Sequence, residues 1–359
     1  MRILNVADFN WMTGAERETA SLSLFDICRK LSFAATRAGH LVVEFSDRAV
    51  ARQEAPLRLK GLGAAWANRR FLQCVDELKP DLILLHFADQ IANASLVEAR
   101  RLSASVKIID INIDPIDADK NRRRLALRRG AADALFVTTA DPALARCVGP
   151  GAFAAYLPNP VDRSVETGRA FDIERPPFDL LLTVSDDAPR ELGGGLSAPS
   201  AAVAALRRRL PALDLCTPGL GGQPRARGQA YFEALQSARV GWSLSRRASA
   251  PLYASDRMAH FMGWGLATAL DRRAGFGRFY ADDEAVFYDG LDDLAASLDR
   301  LIADDMAARA IARRGWEKTW SLFESGRVLS YLLAQLFDEG GARDYEWPCD
   351  RWGPTPSTP

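Results

Sequence analysis

The chain has 359 residues, roughly twice a common single-domain length of about 150, which predicts two domains, each with its own core. Hydrophobic residues at 48% and charged residues at 26% are those of an ordinary globular chain, and 46 Lys+Arg balance 46 Asp+Glu. No overall field gathers nucleic acid or anionic lipid, which argues against a bulk polyanion binder. The five cysteines are scattered and lack CxxC spacing, so neither a disulfide framework nor a zinc knuckle is expected, and a reducing cytoplasm fits best. The apolar run at 3–8 is too short for a signal-peptide core, and no 18 uncharged apolar residues follow one another. The expectation is a chain that neither crosses a membrane nor leaves the cell.

Short β-branched or leucine-rich runs alternate with stretches of helical period, the pattern of a parallel sheet covered by helices. Strands are predicted at 2–8, 41–46, 81–87, 106–113, 133–138 and 154–157, with helices at about 18–38, 66–78, 93–104, 119–130 and 141–147. The loop after the first strand has one glycine, Gly14, and not the G-x-G-x-x-G spacing that lets backbone pack on a pyrophosphate, so a nicotinamide enzyme is disfavoured. Asn10 and Gly14 read either as contacts to an acceptor or as parts of an ordinary strand-to-helix turn. Phe45-Ser46-Asp47-Arg48 reads as a solvated surface pair ending the second strand.

His86 ends the third strand, where an imidazole is either a proton acceptor or a hydrogen-bonded core residue. Asp110, Asn112 and Asp114 alternate with isoleucine on one face of a strand that should be buried, which is costly unless they meet partners or a ligand. Asp114 is the second candidate base. Asp117 and Asp119 have the spacing of a metal-binding carboxylate pair, but they open a charged helix and are read as its N-terminal charges; no metal is expected.

The periodicity stops at Tyr156-Leu157-Pro158-Asn159-Pro160-Val161-Asp162, and Pro176-Pro177 follows. The expected division is 1–160, a linker at 161–178, a second domain at 179–321, a helix at 322–341, and an irregular tail at 342–359 that either docks through Trp347 and Trp352 or frays. Strands of the second domain are predicted at 178–184, 213–216, 240–244, 266–270 and 285–288, with helices near 198–209, 228–238, 255–264, 291–303 and 305–319 and a last one at 324–340. The fold class expected is α/β, two Rossmann-like doubly wound domains facing a cleft, an architecture that does not choose its ligand.

Three motifs stand in this second half. Ser185 to Gly195 carries Arg190 and the glycines 193, 194 and 195, read equally as a phosphate contact through Arg190 and Gly194 or as a flexible loop. Gly219-Leu220-Gly221-Gly222 reads as a turn. The densest constellation joins Ser245-Arg246-Arg247 at a strand end to Tyr253, Ser255, Asp256, Arg257 and His260 at the start of the next helix, where a capped helix terminus and arginines suit a diphosphate.

Gly263-Trp264-Gly265-Leu266, Glu284-Ala285-Val286-Phe287-Tyr288-Asp289, Leu291-Asp292-Asp293-Leu294 and Arg309-Ala310-Ile311-Ala312-Arg313-Arg314-Gly315 follow in turn. Through these motifs, residues 253–336 resemble the carboxyl-terminal domain of GT-B glycosyltransferases, in particular the group similar to the spore maturation protein CgeB. Leu157 to Asp162 is similar to the P-N-x-V-D that closes the amino-terminal domain of many such enzymes. The resemblance implies a bacterial enzyme of the hexosyltransferase kind that takes a nucleotide diphosphate sugar as donor substrate, needs no cofactor, and transfers to a glycan, a lipid-linked or a protein acceptor in cell-surface glycan or glycoconjugate synthesis. Better-known relatives have two glutamates eight residues apart, which fall near Leu252 and His260 here and are absent. Ser245, Arg246, Ser255, Asp256, Arg257 and His260 offer an alternative donor site, and His86 or Asp114 the base if the reaction inverts configuration. Two other readings stay open: a nucleotide-sugar epimerase of the same fold, and a degenerate GT-B protein that binds a nucleotide or a partner.

Overall fold

The first strand, β1 (Arg2–Ala7), buries every residue but Arg2, as a strand must when both faces of a parallel sheet are covered. The computed structural model describes residues 1–9, 26–55, 62–116 and 119–354, and divides the chain into two units, Met1–Pro158 with Ser325–Pro359, and Asn159–Glu324. Unit 1 continues with α1 (Ile27–Arg37), β2 (Leu41–Ser46), α2 (Asp47–Glu54), α3 (Ala64–Leu78), β3 (Leu82–His86), α4 (Asn93–Leu102), β4 (Lys107–Asn112), α5 (Asp119–Leu127), β5 (Ala134–Val137) and β6 (Phe153–Tyr156). Its six strands pair in parallel in the order β2-β1-β3-β4-β5-β6, and Leu4, Val6, Ile83, Leu85 and Ile108 pack with Phe71, Val75 and Leu96 into one core.

Unit 2 comprises β7 (Phe178–Leu181), β8 (Arg190–Leu192), β9 (Gly195–Ser197), α6 (Pro199–Arg209), β10 (Leu215–Cys216), α7 (Gln229–Gln236), β11 (Ala238–Trp242), α8 (Asp256–Gly263), β12 (Ala267–Asp271), β13 (Val286–Tyr288), α9 (Leu291–Ala303) and α10 (Asp305–Phe323). Five strands form a parallel sheet, β10-β7-β11-β12-β13, over a core of Leu180, Leu182, Val240, Trp242, Ala269 and Leu298. The chain enters and leaves this unit side by side, with Val161 bridged to Glu324 and the Val161 amide donating to the Phe323 carbonyl at 2.9 Å.

The last helix, α11 (Ser325–Phe337), returns to unit 1 and packs on α1, where Arg37 Nη2 donates to Ser325 Oγ at 3.0 Å. The tail that follows docks through its tryptophans. Trp347 is 2% exposed and meets Tyr331 edge-on at 5.5 Å, while the Trp352 amide donates to Ala154 O at 2.8 Å and so covers the free edge of β6.

Some sequence expectations are corrected here. Asp47 is not half of a solvated pair: it opens α2, is fully buried, and accepts the Gln90 amide at 3.0 Å. The strand carrying Asp110 and Asn112 ends at Asn112, so those two are buried while Asp114 lies beyond it, exposed and paired with Arg124 at 3.2 Å. The segment Pro142–Cys147 is a 3-10 turn and not an α-helix. Asn10, Gly14, the expected start of the first helix at 18–25, and Asp117 lie outside the described residues.

Candidate functional site

The parallel strands of unit 2 all point their carboxyl ends to one edge, and the polar residues just past β7 and β11 gather there. After β7 the chain runs through Thr183 to Asp186, and after β11 through Ser243 to Arg247. Between these two segments stands Arg257, in the first turn of α8, whose guanidinium donates to Thr183 O at 2.5 Å and to Leu244 O at 3.1 Å. Its Nε is buried without a hydrogen-bond partner. Arg257 thus ties two strand ends together through carbonyls and meets neither Asp256 nor Asp271. Asp256 instead accepts from Asn159 Nδ2 at 2.8 Å, and Asp271 holds Arg273 through two bonds to its guanidinium and one to its amide.

Asp186 joins two more arginines to this corner. Its Oδ2 accepts from Arg246 Nη2 at 2.6 Å, and its Oδ1 lies 3.7 Å from Arg190 Nη2. Arg190 is 3% exposed, and its Nε is also buried without a partner. Burial, with Arg257 and Arg246 beside it, pushes the Arg190 guanidinium down to about 10. Burial likewise lowers Arg257, with Arg246 adding to the effect. The Asp186 carboxyl stays below the ordinary carboxylate range: burial opposes this, but Arg246 together with the Ala188 amide and the Ser185 hydroxyl outweighs it. Asp186 thus touches two of the guanidiniums, Arg246 and Arg190, and Arg257 stands close enough to both arginines to add like-charge repulsion.

The helix start adds donors. Ser255 occupies the N-cap of α8 but its side chain makes no capping bond, so the first-turn amides are not closed by a hydroxyl. Tyr253 is buried close enough to influence both Arg190 and Arg257. Ser245 Oγ accepts from the Arg247 amide at 3.3 Å. Gly194 lies in the turn of the β8–β9 hairpin, where Gly193 and Gly194 have φ of 58° and 84°, backbone that an L side chain adopts only with strain. Gly219 is needed for a different reason: a Cβ there would stand 2.2 Å from Val184 O, so glycine lets this turn close on the end of β7.

His260 lies deeper in α8, apart from these polar atoms. It is 1% exposed, and its Nδ1 meets Glu166 Oε1 at 2.7 Å; Glu166 Oε2 accepts the Asp162 amide at 2.6 Å. This buried pair fastens the start of unit 2 to α8. Sequence reasoning missed Glu166, Asp186 and Thr183. A lone acid in a loop and a carbonyl carry no signature, and only the folded sheet edge brings them to the arginines.

In unit 1, His86 sits at the end of β3, 3% exposed, with Nε2 lacking a partner. Burial, assisted by Arg124 and Arg48, pushes its imidazole down to about 3, so the ring is neutral at physiological pH. Beside it Phe87 has φ of 50° and lies under the Arg124 guanidinium at 4.0 Å, while Arg48 clamps Asp89 at 3.1 Å and Asp8 at 3.2 Å. Because the folded form takes up a proton on His86 only near pH 3 and the unfolded chain does so near 6.5, folding stability is present above pH 6.5 and is lost as pH falls toward 3. The expected result is a loss of up to about 1.4 kcal/mol per pH unit across that window. His86→Asn removes this contribution, and urea melts of unit 1 at pH 4 to 7 check it: parallel slopes in variant and parent would show that His86 is not held neutral.

Residues 200–334 match the family model described as glycosyl transferase-like, a span that includes Arg246 and Arg257. No curated protein matches the sequence. The fold is similar to sucrose-phosphate synthase from Thermosynechococcus elongatus, with a TM-score of 0.58, 14% identity, and 94% of this chain and 99% of that one covered. It is also similar to Anabaena HepE in complex with UDP and glucose (TM-score 0.55, 13% identity, 94% and 99% covered). The E. coli trehalose-6-phosphate structure bound with UDP-2-fluoro glucose is similar too (TM-score 0.59, 12% identity, 94% and 99% covered). The chain therefore has the GT-B fold of glycosyltransferases, built from two Rossmann-like domains. Among the described residues no helix is long and apolar enough to cross a membrane.

Proposed function

We infer that the protein is a glycosyltransferase that moves a sugar from a nucleoside diphosphate donor to an acceptor, a glycan, lipid carrier or protein, in cell-surface glycan or glycoconjugate synthesis. The observation that carries this reading is the cluster of Arg190, Arg246 and Arg257 at the carboxyl edge of the unit 2 sheet, with the single carboxylate of Asp186 on two of them. Positive charge and uncapped helix amides at that edge suit a departing diphosphate, whose developing charge must be met in the transition state. UDP and UDP-glucose in complexes of the similarly folded HepE support a sugar nucleotide as the ligand class. The motifs between Gly263 and Gly315 further favour the CgeB-like group within the glycosyl transferase-like proteins.

In this reading Arg257, Arg190 and Arg246 hold donor phosphates, with Ser245, Tyr253, Ser255, Asp256, Gly194 and His260 shaping the same unit. If the reaction inverts configuration, His86 or Asp114 is the candidate base for the acceptor proton. His86 offers a neutral ring with a partnerless Nε2; Asp114 offers an exposed carboxylate steadied by Arg124. Isothermal calorimetry with UDP, UDP-glucose and UDP-N-acetylglucosamine is the direct test, followed by a transfer assay with and without acceptor. Failure of nucleoside diphosphates and their sugars to bind would sink the proposal. Binding without acceptor-dependent turnover would leave a nucleotide-binding protein.

Transfer is expected to proceed without a metal ion, because arginine supplies the charge a cation would otherwise bring to the phosphates. Activity should be unchanged by EDTA. Loss with chelator and recovery with magnesium or manganese would reverse this and return attention to Asp117 and Asp119.

A further inference from the structure

Asp186 is an unexpected residue for a phosphate site. A carboxylate set against Arg246 at 2.6 Å and Arg190 at 3.7 Å repels the anion those arginines would bind. It is nonetheless built in. Its Oδ1 accepts the Ala188 amide at 3.2 Å in a turn, and Ser185 Oγ donates to Oδ2 at 3.2 Å. The neighbouring acids are committed elsewhere: Asp187 to Ser200, Glu191 to Ser249 and Arg247, Asp271 to Arg273. Among these acids Asp186 alone is in contact with the cluster, touching Arg246 and Arg190, with Arg257 beside those two; one carboxylate against three guanidiniums leaves two net positive charges at that corner.

Two is the charge of a sugar diphosphate, in which each phosphate keeps one ionised oxygen. Transfer changes this. The bond between the sugar anomeric carbon and the phosphate oxygen breaks with its electron pair staying on that oxygen, the acceptor oxygen bonds to the carbon, and the acceptor proton passes to a base. The nucleoside diphosphate left behind gains a negative charge on its terminal phosphate, whose second ionisation lies near 6. A corner with three unopposed arginines would hold this product more tightly than the donor and slow its departure.

We propose that Asp186 is a specificity-determining residue that offsets one arginine so that the site does not over-bind the free nucleoside diphosphate relative to the sugar nucleotide. The proposal rests on the donor-binding reading above and adds the charge discrimination to it. Removing the carboxylate strengthens binding of both ligands but favours the product, which carries the extra charge. A unit charge acting over several ångströms at a protein surface changes binding by about tenfold.

The test compares UDP with UDP-glucose by calorimetry in the full chain, parent and Asp186→Asn, at pH 8 where UDP is fully ionised. Asn keeps an acceptor for the Ala188 amide. The affinity ratio of UDP over UDP-glucose is expected to rise about tenfold in the variant, with UDP becoming a correspondingly stronger product inhibitor. Asp187→Asn, the same charge change one residue away on an exposed side chain tied to Ser200, feels Arg190 only at a distance and should move the ratio far less. If both ligands bind and Asp186→Asn leaves the ratio as in the parent, Asp186 merely props Arg246 and the inference is wrong while the donor-binding reading stands. If the parent binds neither ligand, both fall. Should Asp186→Asn misfold, Asp186→Ser, which also keeps an acceptor, is judged by the same ratio.

Discussion

Replacing Arg257 with alanine should weaken nucleotide binding by about 1.5–3 kcal/mol, the scale of a hydrogen bond to a charged group, and should destabilise unit 2 by about 2 kcal/mol. The second effect follows from the carbonyls of Thr183 and Leu244, which lose their guanidinium donor at the ends of β7 and β11. Relief of repulsion from Arg246 partly offsets that loss. From sequence alone a first-turn arginine looks like a free cation opposing the helix dipole; in the fold it is also a strut between strand ends. Calorimetry reads the binding and urea melts the stability. A variant that binds UDP normally yet unfolds early would make Arg257 a strut only and move the donor phosphates to Arg190 and Arg246.

Glu166→Ala should cost about 3 kcal/mol or more of stability. The truncation strands two buried donors at once, the Asp162 amide and the ring N–H of His260, each worth about 1–3 kcal/mol when left unsatisfied. Glu166→Gln retains an acceptor and should lose less than half as much. The comparison is made by thermal or urea denaturation, and equal losses for Ala and Gln would show that packing around the side chain, not its hydrogen bonds, holds this junction.

Much of the fold could be read from residue order because β1 and β3 are largely apolar runs buried on both faces, and such runs identify themselves without tertiary information. Other parts could not. The hairpin β8–β9 is six residues around a double glycine, with no alternation to mark it, so it resembles a flexible loop until Arg190 is seen buried at its root. Asp47 looks like a surface acid because its partner, the Gln90 amide, is 43 residues away. The arginines of the site were visible as charges at strand ends, since strand ends are where a parallel sheet exposes polar groups. What tunes them was not. Asp186 is an acid in a loop rich in polar residues, and only distance in the folded unit separates it from Asp187, which faces Ser200 instead.

The paired entry and exit at Val161 and Glu324 make unit 2 an uninterrupted insertion within unit 1. Unit 1 is thereby completed by chain from both sides of the insertion, α11 packing on α1 and Trp352 pairing with Ala154 on β6. The same architecture makes the segment 159–324 a natural excision, a cassette with adjoining ends that should fold when expressed by itself, while a stop codon placed just after it would damage the half of the protein encoded long before.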